Sequence, residues 1–471
     1  MGISRQALAR LISGGDILSR LAVFPFTGEV FLVGGAIREL ALGGQPRDYD
    51  LALSDADDLR RLEQFLGRRS FLLGKKPIQT HRIVTEETVL DVTILEGTIQ
   101  RDLARRDFTM NAIAFDVRRG SIIDPLGGLE DIERRLIRYP HRDTIVSDPL
   151  RMLKAVRHFT ALEGFVLDPE LIEAMTSSRA LIKITAPERV KYELDLIMLS
   201  DGVDRGMDIL TKTGLAFELF PELEALRVMD VEKKFSLETF GHTMQGFSFL
   251  HTRAARYLSD PLSVKDVGYA LLFHDLGKAH TYSYDHDRGL VHFFHHERLS
   301  KEIAVIVMER LRFSTQEMKR ITALIENHMR IFLISSSDAT EKAVRRLIYK
   351  MGDLTPQLIA LTLCDMYGSS GGEENPSTRQ VVQNCDAIMA AWHESKEEPL
   401  PRLLSGNDLL AAGFEEGPLL GRCLDTVRDK QIAGEITDRD GALKFARRFL
   451  KRKKTGNGEW GMGNGGSDRR R

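Results

Sequence analysis

The chain has 471 residues, 42% hydrophobic and 28% charged, an ordinary globular composition that is too long for a single hydrophobic core. Its 66 basic and 68 acidic residues give a net charge of −2, so affinity for polyphosphate has to come from local patches rather than the whole field. Three cysteines, Cys364, Cys385 and Cys423, lack metal-type spacing and read as reduced thiols of a cytoplasmic protein. The start is charged and interrupted, unlike a secretory signal, and no apolar run approaches the ~20 residues of a membrane-spanning helix.

Residues 1–24 predict a short amphipathic helix. From about 28 to 140, strand-like runs (EVFLVGG, YDLAL, RIVT, TVLDVTIL, SIIDP) mix with helical ones such as DADDLRRLEQFL, which predicts an α/β or α+β domain. Within YDLAL, Asp48 and Asp50 stand two apart and share one strand face. Two carboxylates so placed can hold divalent ions ~3.5–4 Å apart, the clamp used for in-line phosphoryl transfer. Gly34, Gly35 and Arg38 precede them, residue types suited to a triphosphate. Asp91, in TVLDVTIL, is a third carboxylate able to complete a metal-binding triad. RDLARRDFTMNAIAFD then sets Arg105, Arg106 and Asp107 before an apolar run predicted as helix.

From about 145 onward the spacing predicts helices: PLRMLKAVRHFTALEGF, PELIEAMTSSRALI and PERVKYELDLIML. Eight of the thirteen histidines fall between 242 and 296. Residues 366–377 predict a loop, and two further helical stretches run to about 450. The basic, glycine-rich end, 451–471, predicts disorder.

LVGGAIRELALG…RDYDLAL, DLARRDFTMNAIAF, IIDPLGGLEDIERRLIR, SDPLRMLKAVRHF and PERVKYEL, in this order, resemble the five motifs of the bacterial tRNA nucleotidyltransferase and poly(A) polymerase family. The resemblance implies a nucleotidyltransferase head of the polymerase-beta-like type, then an all-α neck, an HD body and a helical tail. Expected bounds are 1–143 for the head, 144–230 for the neck, 231–345 for the HD domain, 346–450 for the tail and 451–471 for the disordered end. It implies that Asp48 and Asp50 bind Mg2+, with Asp91 in the catalytic set, and that Gly35, Arg38, Arg106, Lys154 and Arg157 contact the nucleotide. Asp148 and Arg151, expected three apart on one helical face, would read the base edge by hydrogen bonds. The partners implied are a tRNA 3′ end, CTP and ATP, with no membrane and no obligate protein partner. The chain departs from the family pattern at Ser147, where many members have glutamate, and at Lys154, where many have arginine. Only thirteen residues separate Asp91 from Arg105, where members that add all three nucleotides often carry a longer loop.

His274-Asp275 followed by Gly277-Lys278, with His242 before and Asp365 after, resembles the HD metal-dependent phosphohydrolase superfamily. That resemblance implies a second divalent metal held by His242, His274, Asp275 and Asp365, with His296 and His328 nearby. For His251, His280, His286 and His292 the expectation is an ordinary surface or capping role. Arg134, Arg135 and Arg138, then Arg345, Arg346 and Lys350, and the tail with Trp460, are candidate RNA contacts. Rival readings are a poly(A) polymerase and an HD phosphohydrolase with an inactive head.

Overall fold

The computed structural model describes residues 4–73, 79–86, 88–233, 239–335, 341–397 and 400–454. They fall into two compact units, one drawn from Met1–Phe235 and Val305–Ser314, the other from Ser236–Ala304 and Thr315–Arg471. The expected head and neck thus share one unit.

The first unit is built on a seven-stranded sheet: β1 (Val30–Val33), β2 (Asp48–Leu53), β3 (Phe71–Leu73), β4 (Thr80–Val84), β5 (Val89–Ile94), β6 (Ala114–Asp116) and β7 (Ser121–Ile123). Their order is β3-β4-β5-β2-β1-β6-β7, with β2 and β5 parallel and every other pair antiparallel. Leu51, Leu53, Leu90 and Val92 fill one face, fully buried. On the opposite face Phe31, Val33 and Ala52 pack under Ile99 and Leu103 of the helix Ile99–Ala104. Asp48 and Asp50 stand at the start of β2.

Four sequence expectations change here. Residues 1–24 form two helices, Arg5–Ser13 and Asp16–Val23, because Gly14-Gly15 breaks the run and Gly15 is extended (φ −72°, ψ 138°). The apolar run after Arg106 is a 3-10 turn, Thr109–Asn111, and then strand β6. Phe108 and Met110 through Phe115 are nearly all buried, and a run buried all round carries no period to separate strand from helix. The third change is at Asp148, which joins two helices, Asp143–Ser147 and Arg151–Ala161, with extended backbone (φ −147°, ψ 94°). Pro149 forces this, since its ring clashes with a helical preceding residue. Lastly, the region after 145 is not wholly helical: β8 (Leu136–Ile137) pairs with β9 (Val166–Leu167), and a hairpin forms from β10 (Tyr282–Asp285) and β11 (Leu290–Phe293).

Apart from that hairpin the second unit is helical. Helix Thr355–Ser369 lies at its centre, buried on all sides. It runs four residues into the expected 366–377 loop. A separate small core of Leu404, Leu409, Phe414, Cys423, Val427, Ile436, Ala442 and Ala446 holds the last three helices together. The final helix, Arg439–Lys454, carries the basic run 451–454 that the sequence assigned to the disordered end; Trp460 and the rest of that end lie outside the described residues.

Candidate functional site

The β-sheet registers build the first site. Val33 pairs with Asp50, Asp50 with Asp91, and Asp91 with Arg82, so one row crosses four strands with its side chains on a single face. Asp48 joins it from two residues along β2. Gly34 follows β1 at φ +80°, and a Cβ there would lie 2.9 Å from both Asp50 Oδ2 and Arg106 Nη1. Only glycine fits that backbone shape and that clearance. Burial, with Asp91 and Asp48 alongside, raises the Asp50 carboxyl despite the pull of Arg106. Crowded carboxylates of this kind gain from a cation. Asp91 is not free: Arg82 spans it, Nε to Oδ1 at 2.8 Å and Nη2 to Oδ2 at 2.7 Å.

Arginines border the row. Gly35 begins the helix that carries Arg38, whose guanidinium donates to Asn111 Oδ1. Arg38 Nε is buried without a hydrogen-bond partner among the described residues, and burial lowers its pKa. A buried donor with nothing to bond suits an anionic oxygen. Arg106 is aimed by Asp102, whose Oδ2 accepts from Nε and Nη2 at 3.1 and 3.0 Å.

A buried polar chain runs on from there. Asn111 donates to Asp107 at 3.0 Å, and Asp107 lies 3.5 Å from Lys154 Nζ. Burial would raise Asp107, but Lys154, His158 and two hydrogen bonds outweigh it and bring it down to about 2. Arg157 lies 3.0 Å from Glu193, though not in hydrogen-bond alignment, and donates to His158 Nε2 at 3.2 Å. His158 accepts that bond as the neutral imidazole, since burial and then Arg38 and Arg157 hold its pKa well down. Asp148 pairs with Arg189 at 3.1 Å, while Arg151 donates to the carbonyls of Arg105 (2.7 Å) and Thr144 (3.1 Å). Arg151 N–H donates to the Asp148 carbonyl at 3.0 Å, but no side-chain hydrogen bond or ion pair joins the two among the described residues. Asn111, His158, Glu193, Asp102 and Arg82 were not singled out in the sequence. Asn111 and Asp102 lie inside the RDLARRDFTMNA motif that could have pointed to them.

The second site lies in the helical unit. Helices Phe240–Leu250 and Thr355–Ser369 cross at Gly246 and Gly368, where a Cβ on Gly368 would come within 2.4 Å of the His242 carbonyl. That close approach brings His242 to 3.5 Å from Asp365. Asp275 is the hub: Oδ2 lies 2.8 Å from His242 and 3.1 Å from His274, and Oδ1 lies 3.3 Å from His296 and 3.9 Å from His328. Both oxygens are buried, and neither makes an aligned hydrogen bond among the described residues. The Nδ1 atoms of His274, His296 and His328 lie 2.7–2.8 Å from backbone carbonyls, which turns each Nε2 inward. Three triads have ligand atoms within 4.8 Å of one another: His242-His274-Asp275, His274-His328-Asp365 and Asp275-His296-His328.

This donor set fits divalent ions, with Asp275 able to bridge two. His296 and His328 belong to the cluster itself, beyond the nearby place expected of them. Burial opposes a charged His274, but Asp275 and Asp365 overcome it and raise its pKa to about 10. Burial, then His274, push His328 down to about 4. His251, His280, His286 and His292 stay outside the cluster among the described residues. Asp365 lies past the expected 231–345 bound of the HD segment. Lys278, not singled out as a ligand, places Nζ 2.8 Å from Asp275 Oδ2. Of the RNA-contact candidates, Arg138 is engaged by Asp131 and the Leu126 carbonyl, and Arg134 by Glu130.

Three family models match the chain: the Poly A polymerase head domain at 78–138, the probable RNA and SrmB-binding site of polymerase A at 164–226, and the HD domain at 239–390. An A-adding tRNA nucleotidyltransferase of Deinococcus radiodurans is 32% identical over 437 residues, 91% of this chain and 96% of that protein. A CC-adding tRNA nucleotidyltransferase of Thermus thermophilus is 31% identical over 433 residues, 90% of this chain and 94% of that protein. Among solved structures, the fold matches a Thermotoga maritima CCA-adding enzyme complexed with tRNA (TM-score 0.64, 17% identity, 96% of this chain and 99% of that one). It also matches a Bacillus stearothermophilus CCA-adding enzyme in complex with CTP (TM-score 0.61, 22% identity, 95% and 98%). No helix among the described residues is long and apolar enough to cross a membrane. The chain belongs to the tRNA nucleotidyltransferase and poly(A) polymerase family and carries an HD domain.

Proposed function

We propose that this chain is a cytoplasmic tRNA nucleotidyltransferase that adds C, A or both to the 3′ end of tRNA from CTP and ATP, releasing pyrophosphate. The observation that carries the reading is the row of Asp48, Asp50 and Asp91 beside Gly34, bordered by Arg106 and the unpartnered Arg38 Nε. Asp48 and Asp50 would hold Mg2+, which when bound promotes ionisation of the attacking 3′-hydroxyl and neutralises charge at the α-phosphate. Arg38 and Arg106 bind the triphosphate and orient it in line with the RNA end. Asp91, held by Arg82, keeps lone pairs on both oxygens and can still join the metal set. Lys154, Arg157 and Arg151 line the nucleotide, and Asp148, held by Arg189, reads the base edge as an acceptor.

The matched relatives include an A-adding and a CC-adding enzyme at nearly equal identity, so nucleotide choice is an experimental question. It is answered by incubating tRNA ending before CCA, after C, and after CC with CTP and ATP separately. Extension of any of the three by CMP or AMP supports the reading, and its pattern assigns the specificity. Long A tails on RNA unrelated to tRNA would favour the poly(A) polymerase instead.

A second activity is supported by the buried Asp275 hub, whose two oxygens face different histidines and so suit a pair of divalent ions. Bound there, such ions activate water for hydrolysis of a phosphoester. Lys278 is placed to bind the phosphate, and the carbonyl-bonded histidines keep their Nε2 atoms facing inward.

A further inference from the structure

The β10–β11 hairpin is inserted between Asp275 and His296, inside the ligand sequence of the buried cluster. A two-stranded hairpin has little stability of its own. This one nevertheless leaves large rings open to solvent: Tyr284 is 44% exposed and Phe294, just past β11, is 64% exposed. The register pairs Tyr282 with Phe293 and Tyr284 with Val291, so Tyr282, Tyr284 and Phe293 share one face.

The inner end of that face is fixed to the cluster at two points. The Phe293 carbonyl accepts from His296 Nδ1 at 2.8 Å. The Phe293 ring lies 5.3 Å from the Lys278 ammonium, which itself sits 2.8 Å from Asp275. Tyr284 stands two residues farther out, ~6–7 Å along the strand, and His286 braces its ring edge-to-face at 4.9 Å. At the junction His295 has φ +60°, a strained shape for a residue other than glycine, one position before the cluster begins again at His296. Moving outward, the order is ligands, one cation, then aromatic rings. It is the order of charges and rings that a phosphate with a nucleobase attached would meet.

We propose that the β10–β11 hairpin is a base-stacking platform for the HD site, with Tyr284 as its outer ring. The site's substrate is then a phosphoester of a nucleoside, either a free nucleotide or the terminal nucleotide of an RNA, and not a simple phosphoester. The inference rests on the phosphohydrolase reading above. Stacking on an aromatic ring is worth ~1–3 kcal/mol per base, so loss of the ring should weaken binding about tenfold.

The test uses the full-length protein loaded with Mn2+. Equilibrium dialysis and steady-state hydrolysis are measured for adenosine 3′-monophosphate, for a ribotrinucleotide ending in a 3′-phosphate, and for ribose 3-phosphate, which has no base. Tyr284→Ala should raise the dissociation constant and KM for the adenosine ester about tenfold with kcat held, Tyr284→Phe should restore both, and ribose 3-phosphate should not distinguish the proteins. A lower wild-type KM for the trinucleotide than for the mononucleotide assigns the RNA end as the source; the reverse assigns the free nucleotide. Equal adenosine-ester binding by wild type and Tyr284→Ala, or an equal loss on ribose 3-phosphate, overturns the inference and leaves Tyr284 a structural brace. Wild-type protein that binds the adenosine ester and never hydrolyses it sinks the phosphohydrolase reading, while dialysis still decides the hairpin.

Discussion

The two carboxylate sites are built in opposite ways. In the sheet, Asp48 and Asp50 stand on one strand end with like charges beside them, and Asp48 is exposed. In the helical unit, four histidines and two aspartates are buried in contact, and each charge already meets an opposite one. A site that must admit a triphosphate and a polymer end has to stay open, so substrate supplies part of its ligand shell. A site whose metal ligands all come from the protein can bury those ligands, and the cost of their burial is offset once, on assembly. The first should therefore fail through chemistry when altered, and the second through metal content and stability.

Asp50→Asn tests the contrast most strongly. Nucleotide addition should fall by ~10²–10³-fold, the scale of losing one preorganised charge-stabilising group, with the melting temperature and hydrolysis at the HD site unchanged. Asp275→Asn should do the reverse: bound metal measured by elemental analysis should drop, hydrolysis should vanish, and addition should persist. A variant of either site that silences both activities would break the comparison.

Gly368→Ala is next. It pushes a methyl group into the His242 carbonyl, parting two helices whose crossing assembles the cluster. Overpacking of this sort costs ~1–3 kcal/mol, which calorimetry should register together with reduced metal affinity.

Smaller is Lys154→Met. Lys154 is the leading influence holding Asp107 down to about 2. A carboxyl whose folded pKa lies below its unfolded value adds stability above the unfolded pKa, and that contribution fades as pH falls towards the folded one. Acid unfolding between about pH 4 and 2 should accordingly be shallower in Lys154→Met, measured by circular dichroism. An unchanged slope would remove Lys154 from that role. Least of all, Arg82→Ala frees Asp91 from its bidentate partner. A modest change in the Mg2+ concentration needed for half-maximal addition is expected, and no change would leave the pair without influence on the metals.

How much of this was legible follows from where the signal is local. The period-two spacing of Asp48 and Asp50 and the ordered motifs identified the strand and the family. The His274-Asp275 pair marked the second site, although only the folded helices show that His296 and His328 join it. Strand β6 was hidden because its run is buried all round, and the extended backbone at Asp148 comes from Pro149, a restriction that helical periodicity does not register. The β10–β11 hairpin lies in a stretch expected to be helical, although YSYD and LVHF flank a turn ending in Gly289; each strand is only four residues long, too short for a clear period. The basic run 451–454 continues a helix because lysine and arginine are good helix formers, and charge alone does not imply disorder. The reach of Arg82 to Asp91 depends on the register of β4 against β5, which no local spacing encodes.

The central claim is that Asp48 and Asp50 grip divalent ions against a nucleoside triphosphate. Its most direct test is a crystal grown with CTP and Mn2+, with the ions located by anomalous scattering. The account expects manganese within coordination distance of both carboxylates and of the triphosphate oxygens, with Arg38 and Arg106 on the phosphates. Triphosphate bound elsewhere, or manganese found only at the Asp275 cluster, would contradict it.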